Sequence, residues 1–194
     1  LLTNVRSGNC TQNCAYCAQS KDSQAEIEKY KRVSDEKLYG DNDLVDEKHL
    51  ARHCIGLSGI GFSDEEIEDL ADRIREMKKK DTQICCSIGF LTEKQARILK
   101  DAGLDRINHN LNSSRSFYPE ICTTHTYDQR VNNIKMLQSL GFEICSGGIV
   151  GMGESKEDIV DMLMDLREIN PESVPINFLL PIPGTRLADR DISE

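Results

Sequence analysis

Three cysteines near the start of the chain have the spacing of an iron–sulfur cluster site. Cys10, Cys14 and Cys17 form a C-x3-C-x2-C run in a loop that directly follows a predicted strand at residues 2–6. Three thiolates on so short a segment can bind three of the four irons of a [4Fe–4S] cluster. The fourth iron is then open to a small molecule, as one position of a catalytic zinc site is.

An open iron of this kind predicts radical chemistry. It can chelate the amino and carboxylate groups of S-adenosylmethionine (SAM), and one electron then breaks a carbon–sulfur bond to release a 5′-deoxyadenosyl radical. Tyr16, just before the third cysteine, could lie against the adenine ring or belong to the core. A structural zinc site is the alternative, but it usually needs a second pair of ligands. His49 and His53 are four residues apart, yet using one of them would leave the asymmetric cysteine spacing unexplained.

A second set of cysteines lies on separate predicted strands. Cys54, Cys85 and Cys145 occupy similar depths in three of them. Neighbouring parallel strands are about 4.8 Å apart, so inward-facing thiols can converge on one metal site. Cys85 and Cys86 are adjacent and must point to opposite faces of their strand. Free cysteine is also among the most buried residue types, so ordinary core thiols remain the alternative.

Short β-branched stretches alternate with amphipathic helical segments along the chain. The strands are predicted near residues 2–6, 52–57, 83–88, 104–109, 142–149 and 173–180, and the helices at 64–79, 92–102, 127–140 and 156–168. Repeated β–α units imply parallel strands with right-handed crossovers, hence a TIM-type barrel or a doubly wound sheet. Chemistry in such α/β folds gathers at the carboxyl ends of the strands, where the cysteine loop lies.

Residues 38–50 fit this alternation poorly. They should form the helix after the first strand, but Gly40, Asp41, Asn42 and Asp43 are poor helix formers. The sequence therefore predicts a frayed or loop-like segment here.

Composition excludes several kinds of partner. The 194 residues predict a single domain, and a net charge of -9 without a basic, aromatic-rich cluster argues against nucleic acid. No apolar run approaches the roughly 18 to 20 residues that span a bilayer, and the first residues do not resemble a signal peptide, so we expect a cytoplasmic protein without a membrane segment. Eight cysteines in such a chain favour metal binding over disulfides.

The residues resemble the biotin synthase family of radical SAM enzymes along nearly the whole chain. The matching segments, in order, are SGNCTQNCAYCAQS (7–20), EKYKRVS (28–34), HCIGLSG (53–59), ICCSIGFLTEKQA (84–96), DRINHNLNSS (105–114), ICTTHTYDQR (121–130), EICSGGIVGMGES (143–155) and ESVPINFLLPIPGTRL (172–187). The resemblance implies a radical SAM (βα)8 barrel, of which this chain would contain six β/α units, and the conversion of dethiobiotin to biotin by sulfur insertion. It also implies a homodimer and an electron donor such as flavodoxin or ferredoxin.

The resemblance assigns both cysteine sets. Cys10, Cys14 and Cys17 match the ligands of the SAM-binding [4Fe–4S] cluster. The other set, Cys54, Cys85 and Cys145, matches the ligands of an auxiliary cluster, [2Fe–2S] in the family, and the resemblance implies that this cluster donates the sulfur.

The resemblance also implies roles for residues around SAM and the substrate. Arg130 matches an arginine that meets the SAM carboxylate, for which a planar guanidinium fork is suited, although an arginine in the 127–140 helix could also lie on the surface. Asn110 and Asn177 match residues that bind the ureido ring of the substrate. Four further residues would let the backbone approach SAM or would serve tight turns: Ser58, Gly59, Gly147 and Gly148.

Three features depart from the family pattern. Asn112 stands where the family usually has an acid that meets the SAM ribose and the substrate. The family also continues through two more strands, one of which carries an arginine ligand of the auxiliary cluster. Cys86 and Cys122 are additional cysteines, which we expect to be buried thiols. The alternatives to biotin formation are a related enzyme with another substrate, such as a hydrogenase-cofactor maturase or a carbon-skeleton mutase, and a non-catalytic iron–sulfur module.

Overall fold

The computed structural model describes residues 1–191 as strands that alternate with helices. In chain order the elements are β1 (Leu2–Arg6), α1 (Asp35–Glu47), β2 (His53–Leu57), α2 (Asp64–Met77), β3 (Ile84–Ser87), α3 (Glu93–Asp101), β4 (Arg106–Asn108), α4 (Tyr118–Ile121), α5 (Tyr127–Ser139), β5 (Glu143–Cys145), β6 (Gly148–Val150), α6 (Lys156–Ile169) and β7 (Ile176–Phe178). Within these residues, every helix is too short or too polar to cross a bilayer.

The strands are parallel and follow the order of the chain. β1 to β5 form one sheet in sequence order, and β6 pairs with β7 in a second. Single parallel bridges, Asn112 with Gly148 and Cys145 with Ser173, join the two sheets. Sequential parallel strands with intervening helices confirm the predicted α/β architecture.

The predicted strand at 142–149 is wrong as a single element. It divides into β5 and β6 because the chain turns at Ser146 and Gly147. A side chain at Gly147 would overlap the carbonyl oxygen of Pro175, and the Gly148 amide donates to that same oxygen at 3.1 Å. This close approach of two backbones moves the second half of the strand to a new partner.

The segment predicted to be frayed is a regular helix. α1 begins after Ser34, whose hydroxyl accepts a hydrogen bond from the Lys37 amide at 3.2 Å. Leu38 and Val45 are fully buried, and Asn42 donates to the Met77 carbonyl at 3.1 Å. Burial and capping therefore outweigh the weak helix propensity of the segment, whose differences are only about 0 to 1 kcal/mol per residue.

Local signals locate the helix starts correctly. α2 and α3 begin with capping boxes, formed by Ser63 with Glu66 and by Thr92 with Gln95, as the sequence predicts. The apolar residues of α2 that recur at helical spacing are buried: Ile67, Leu70, Ile74 and Met77.

Side chains on β2 to β5 alternate between two faces of the sheet, one packed against the helices and one turned away from them. Four residues at equivalent positions of β2 to β5 are fully buried against the helices: Ile55, Cys86, Ile107 and Ile144. Their neighbours on the other face, in register across the sheet, are Cys54, Cys85, Arg106 and Glu143. Cys86 is therefore a core thiol, as predicted, and Cys85 faces the opposite side.

Candidate active site

A cavity of about 290 Å³ lies at the carboxyl ends of the strands. Ten of the predicted site residues line it: Cys10, Cys14, Tyr16, Cys17, Ser58, Gly59, Asn110, Asn112, Arg130 and Asn177. These residues come from loops and strand ends far apart in the sequence, which the parallel topology brings to one edge of the sheet. Gly147, Gly148 and the second set of cysteines lie outside this lining.

The cysteine loop is held in shape by its own turns and by the end of α4. The Cys17 amide donates to the Cys14 carbonyl at 3.2 Å, and the Ala15 amide donates to the Ile121 carbonyl at 2.8 Å. Ser58 is used here too, because its hydroxyl donates to the Gly8 carbonyl at 2.6 Å. Three free thiols therefore face one cavity from a fixed segment.

Cys122 is buried, as predicted, but its neighbours do not follow from the sequence. Its sulfur lies 3.8 Å from that of Cys14 and 3.3 Å from Nδ1 of His125. The hydrogen bond from Cys14 lowers the pKa of the Cys122 thiol to about 3, and the same bond raises the pKa of Cys14. Cys14, Cys122 and His125 thus form a compact group of metal-ligating side chains beside the loop.

Arg130 faces the cavity and not the surface. Its guanidinium donates to the Tyr118 hydroxyl, to the Asn110 carbonyl at 3.0 Å and to Nε2 of His125 at 2.9 Å. Nδ1 of His125 is 2.9 Å from Oε1 of Gln12, within the cysteine loop. An imidazole that accepts at Nε2 carries its hydrogen on Nδ1, so it donates to Gln12 and links the loop to Arg130.

Tyr118, His125 and Gln12 are site residues that the sequence did not identify. His125 and Arg130 both lie in the matching segment 121–130, so that segment was the available signal. Burial raises the pKa of the Tyr118 hydroxyl to about 12, which keeps it neutral beside the guanidinium.

The asparagines that line the cavity also pair with backbone groups around it. Oδ1 of Asn110 accepts from the Gly147 amide at 3.0 Å. Asn112 has φ 71°, a left-handed conformation that asparagine and aspartate tolerate better than most residues, and its backbone amide donates to the Gly147 carbonyl at 2.9 Å. Asn177, on β7, is exposed and pairs with Ile149.

The remaining predicted glycines differ in their surroundings. Gly59 has φ 119°, which favours glycine, and lines the cavity. Gly147 and Gly148 pack closely against Pro175 and Met162, where a side chain would overlap either neighbour. Their contact with SAM therefore stays a prediction, whereas their role in close packing is visible.

His109 is a further cavity residue, which the sequence places beside Asn110 at the carboxyl end of a predicted strand without indicating a role for it. It is 2% exposed, and its Nε2 atom has no hydrogen-bond partner among the described residues. Burial lowers the pKa of the imidazole to about 3, so the ring is neutral at physiological pH. An unpaired nitrogen at the cavity wall is available to a bound molecule.

The second set of cysteines lies on the face of the sheet that is turned away from the helices, with Cys54 and Cys85 on adjacent strands. Cys54 and Cys85 are direct partners in the pairing of β2 with β3, and a hydrogen bond from Cys85 lowers the pKa of Cys54 to about 6. Cys145 follows on β5, where it pairs with Asn108. All three are free thiols, as a metal site requires.

A charged group accompanies these thiols. Arg106 is the register partner of Cys85, and its Nε and terminal nitrogen donate to Oε2 of Glu143 at 2.9 and 2.6 Å. Arg52 reaches the same oxygen at 3.3 Å. Two guanidinium groups share one carboxylate, so one positive charge remains near Cys54 and helps to lower its pKa.

Comparison with known proteins identifies the family. Residues 4–166 match the radical SAM superfamily. The chain belongs to the radical SAM superfamily. Membership implies a [4Fe–4S] cluster and SAM, and the three free thiols of the C-x3-C-x2-C loop on one cavity wall suit a cluster with an open iron.

Among curated proteins, this radical SAM chain is similar to biotin synthases. It is 43% identical over 190 residues to the biotin synthase of Sulfurihydrogenibium sp. (strain YO3AOP1), covering 97% of this chain and 57% of the relative. It is 44% identical over 187 residues to that of Rhodopirellula baltica, covering 96% and 52%, and 41% identical over 188 residues to that of Bacillus subtilis, covering 96% and 56%. The chain thus spans little more than half the length of these relatives.

Solved structures of other proteins share the fold. Methylornithine synthase superimposes with a TM-score of 0.87 at 18% identity, over 100% of this chain and 58% of that chain. The [FeFe]-hydrogenase maturase of Carboxydothermus hydrogenoformans does so with a TM-score of 0.78 at 19% identity, over 95% and 45%. These likenesses confirm the predicted α/β fold, while the number of barrel units stays a prediction.

Proposed function

We propose that the protein carrying this chain is a biotin synthase, a radical SAM sulfurtransferase that converts dethiobiotin to biotin. The observation that supports this most directly is the presence of two separate groups of three free thiols, one at the cavity and one deeper in the same sheet interior. The similarity to biotin synthases over nearly the whole chain supports the choice of substrate.

The two thiol groups have different tasks in this proposal. When bound, the [4Fe–4S] cluster and SAM supply a 5′-deoxyadenosyl radical that removes hydrogen from an unactivated carbon, and the auxiliary cluster supplies sulfur. Cys10, Cys14 and Cys17 hold the first cluster. Cys54, Cys85 and Cys145 hold the auxiliary cluster, which is [2Fe–2S] on the family pattern. The positive charge of Arg52 and Arg106 with Glu143 balances the thiolates.

The cavity residues position SAM and the substrate. Arg130 takes the SAM carboxylate, while Tyr16, Ser58, Gly59 and Asn112 surround the nucleoside, and Gly147 and Gly148 form the adjacent turn. Asn110 and Asn177 bind the ureido ring, because a side-chain amide both donates and accepts hydrogen bonds. Holding the reacting atoms in line and away from water contributes much of the rate in such reactions. We further propose a homodimer and a flavodoxin or ferredoxin as the electron donor.

The assay that tests this function uses the full-length protein, reconstituted without oxygen and supplied with reductant and SAM. Release of 5′-deoxyadenosine is measured with and without dethiobiotin, together with biotin. Stimulation by dethiobiotin and formation of biotin are expected. Deoxyadenosine without stimulation or biotin would point to another substrate, and an electron-spin spectrum unaffected by SAM would point to a non-catalytic iron–sulfur module.

Arg130→Lys is expected to weaken SAM binding by about 10- to 100-fold, because an ammonium cannot reproduce the bidentate guanidinium contact. The measurement is a SAM titration of the reduced, cluster-loaded protein, followed by its electron-spin spectrum. Arg97→Lys is the control, since Arg97 lies on the exposed face of α3 in an ion pair with Glu93. Equal SAM affinity in the two variants would exclude the role of Arg130.

Asn177→Ala is expected to weaken dethiobiotin binding by about 10-fold, the cost of roughly one or two hydrogen bonds. Reductive SAM cleavage should remain, because Asn177 is placed on the substrate and not on SAM. The dependence of deoxyadenosine release on dethiobiotin concentration gives the affinity. Asn132→Ala, at an exposed asparagine of α5, is the control, and unchanged substrate affinity in Asn177→Ala would contradict the proposal.

A further inference from the structure

The sulfur atoms of Cys14 and Cys122 lie 3.8 Å apart, although 108 positions separate them in the chain. Cys14 belongs to the cluster loop, whereas Cys122 follows α4 and has no part in the proposed function. Two thiols are therefore in contact at a site where redox chemistry is proposed.

The two segments are held together by their backbones. The Ala15 amide donates to the Ile121 carbonyl at 2.8 Å, so the residues next to each cysteine are already paired. Asn13 strengthens this contact, because its Oδ1 accepts from the Thr123 amide at 3.0 Å and its backbone amide donates to the Thr124 hydroxyl at 3.2 Å. The separation of the two thiols is therefore set by hydrogen bonds on both sides of them, one between backbones and the others through the Asn13 and Thr124 side chains.

This separation is short enough for a covalent bond. A disulfide has a sulfur–sulfur distance of about 2.05 Å, so the two atoms must approach by roughly 1.8 Å. Rotation about the side-chain bonds of two cysteines can supply such a movement between segments that are already hydrogen-bonded to each other.

Burial distinguishes the two thiols. Cys14 lines the cavity and is half-buried, so a small molecule that enters the cavity can reach it. Cys122 is only 2% exposed and lies behind Cys14. A small oxidant would therefore react with Cys14 first, and Cys122 is placed to react with the product.

We propose that Cys14 and Cys122 are a redox-active pair that closes to an intramolecular disulfide when the cluster is absent. The oxidant is a low-molecular-weight disulfide such as oxidised glutathione. The Cys14 thiol gives up its proton and attacks one of its sulfurs, forming a mixed disulfide, and that proton leaves with the released small thiol. The Cys122 sulfur then displaces the second small thiol, so two protein thiols lose two electrons and two protons to the reagent.

The disulfide has a consequence for cluster assembly. While it is closed, Cys14 cannot bind iron, and assembly requires prior reduction. Closure also protects Cys14 from oxidation to sulfinic or sulfonic acid, which is not reversed by thiols. The pair can close whenever Cys14 is free of metal, whichever substrate the enzyme acts on.

The test uses full-length protein that has been stripped of iron with a chelator, reduced, and then treated with oxidised glutathione without oxygen. Remaining thiols are alkylated, and the peptides are mapped by mass spectrometry without reduction. We expect one crosslinked pair of peptides that joins Cys14 to Cys122, and loss of that pair on reduction. A crosslink from Cys14 to Cys10 or Cys17, or full alkylation of Cys122, would overturn the proposal.

Two variants sharpen this result. Cys122→Ser should retain glutathione on Cys14, since no second thiol is in contact to displace it. Cys86→Ala removes a buried thiol elsewhere in the core and should leave the crosslink unchanged. Circular dichroism checks that both variants fold, and peptide mapping of the unsubstituted protein tests the pair even where a variant does not fold. Protein with its cluster assembled should show no crosslink, and a crosslink there would also contradict the inference.

Discussion

Replacing Cys17 with alanine is expected to abolish SAM cleavage. Cys17 is one of three thiols that face the cavity from the cysteine loop, and a cluster that loses one of three ligands is not held in place. The loss should be about 100-fold or more, since even residues that only orient metal ligands contribute roughly 10- to 100-fold. Iron content, the absorption of the reconstituted protein and 5′-deoxyadenosine release are the measurements.

The control for this prediction is Cys86→Ala. It removes a cysteine that is fully buried in the core and packs against the helices. Iron bound at the loop and SAM cleavage should both persist in it. SAM cleavage at the unsubstituted level in Cys17→Ala would show that the loop does not hold the catalytic cluster.

Cys85→Ala and Cys86→Ala are expected to differ sharply although the residues are neighbours. Cys85 faces the sheet interior with Cys54, whereas Cys86 faces the helices. Cys85→Ala should remove the auxiliary cluster and biotin formation while 5′-deoxyadenosine is still released. Cys86→Ala should keep both activities and lower the free energy of unfolding by about 1 kcal/mol, the cost of removing one small buried group.

The decisive measurement is the ratio of biotin to 5′-deoxyadenosine, together with the iron bound by each variant. Denaturant unfolding of both proteins separates a loss of stability from a loss of the auxiliary cluster. If biotin formation fell equally in both variants, the inward thiols would have no special role and the auxiliary site would be rejected.

Local signals predict most of the elements that position the site. Capping boxes locate the starts of α2 and α3, and their buried stripes follow from helical periodicity. Local signals do not predict α1, because its helix propensity is weak and its stability comes from buried contacts. They also do not predict the division of the strand at 142–149, because that division depends on Pro175, which approaches Gly147 from outside the strand.

The sequence predicts some residues of the site and not others, because local patterns do not report contacts between distant residues. Cys10, Cys14 and Cys17 have a distinctive spacing, so the sequence alone selects them, whereas only the resemblance assigns the second set of cysteines. Arg130 could be a surface residue on helical periodicity alone, and only the resemblance selects it. Tyr118 and His125 acquire their importance from contacts with Arg130, which no local pattern reports.

From the sequence by itself came the prediction of the ligand chemistry and the assignment of Cys85 and Cys86 to opposite faces of their strand. Cysteine spacing selects a cluster with an open iron, and the two-residue period of a strand separates Cys85 from Cys86. Tertiary structure alone decided which distant groups meet, because such contacts depend on how sheets and loops pack. The 3.8 Å contact of Cys14 with Cys122 and the link from Gln12 through His125 to Arg130 arise in this way.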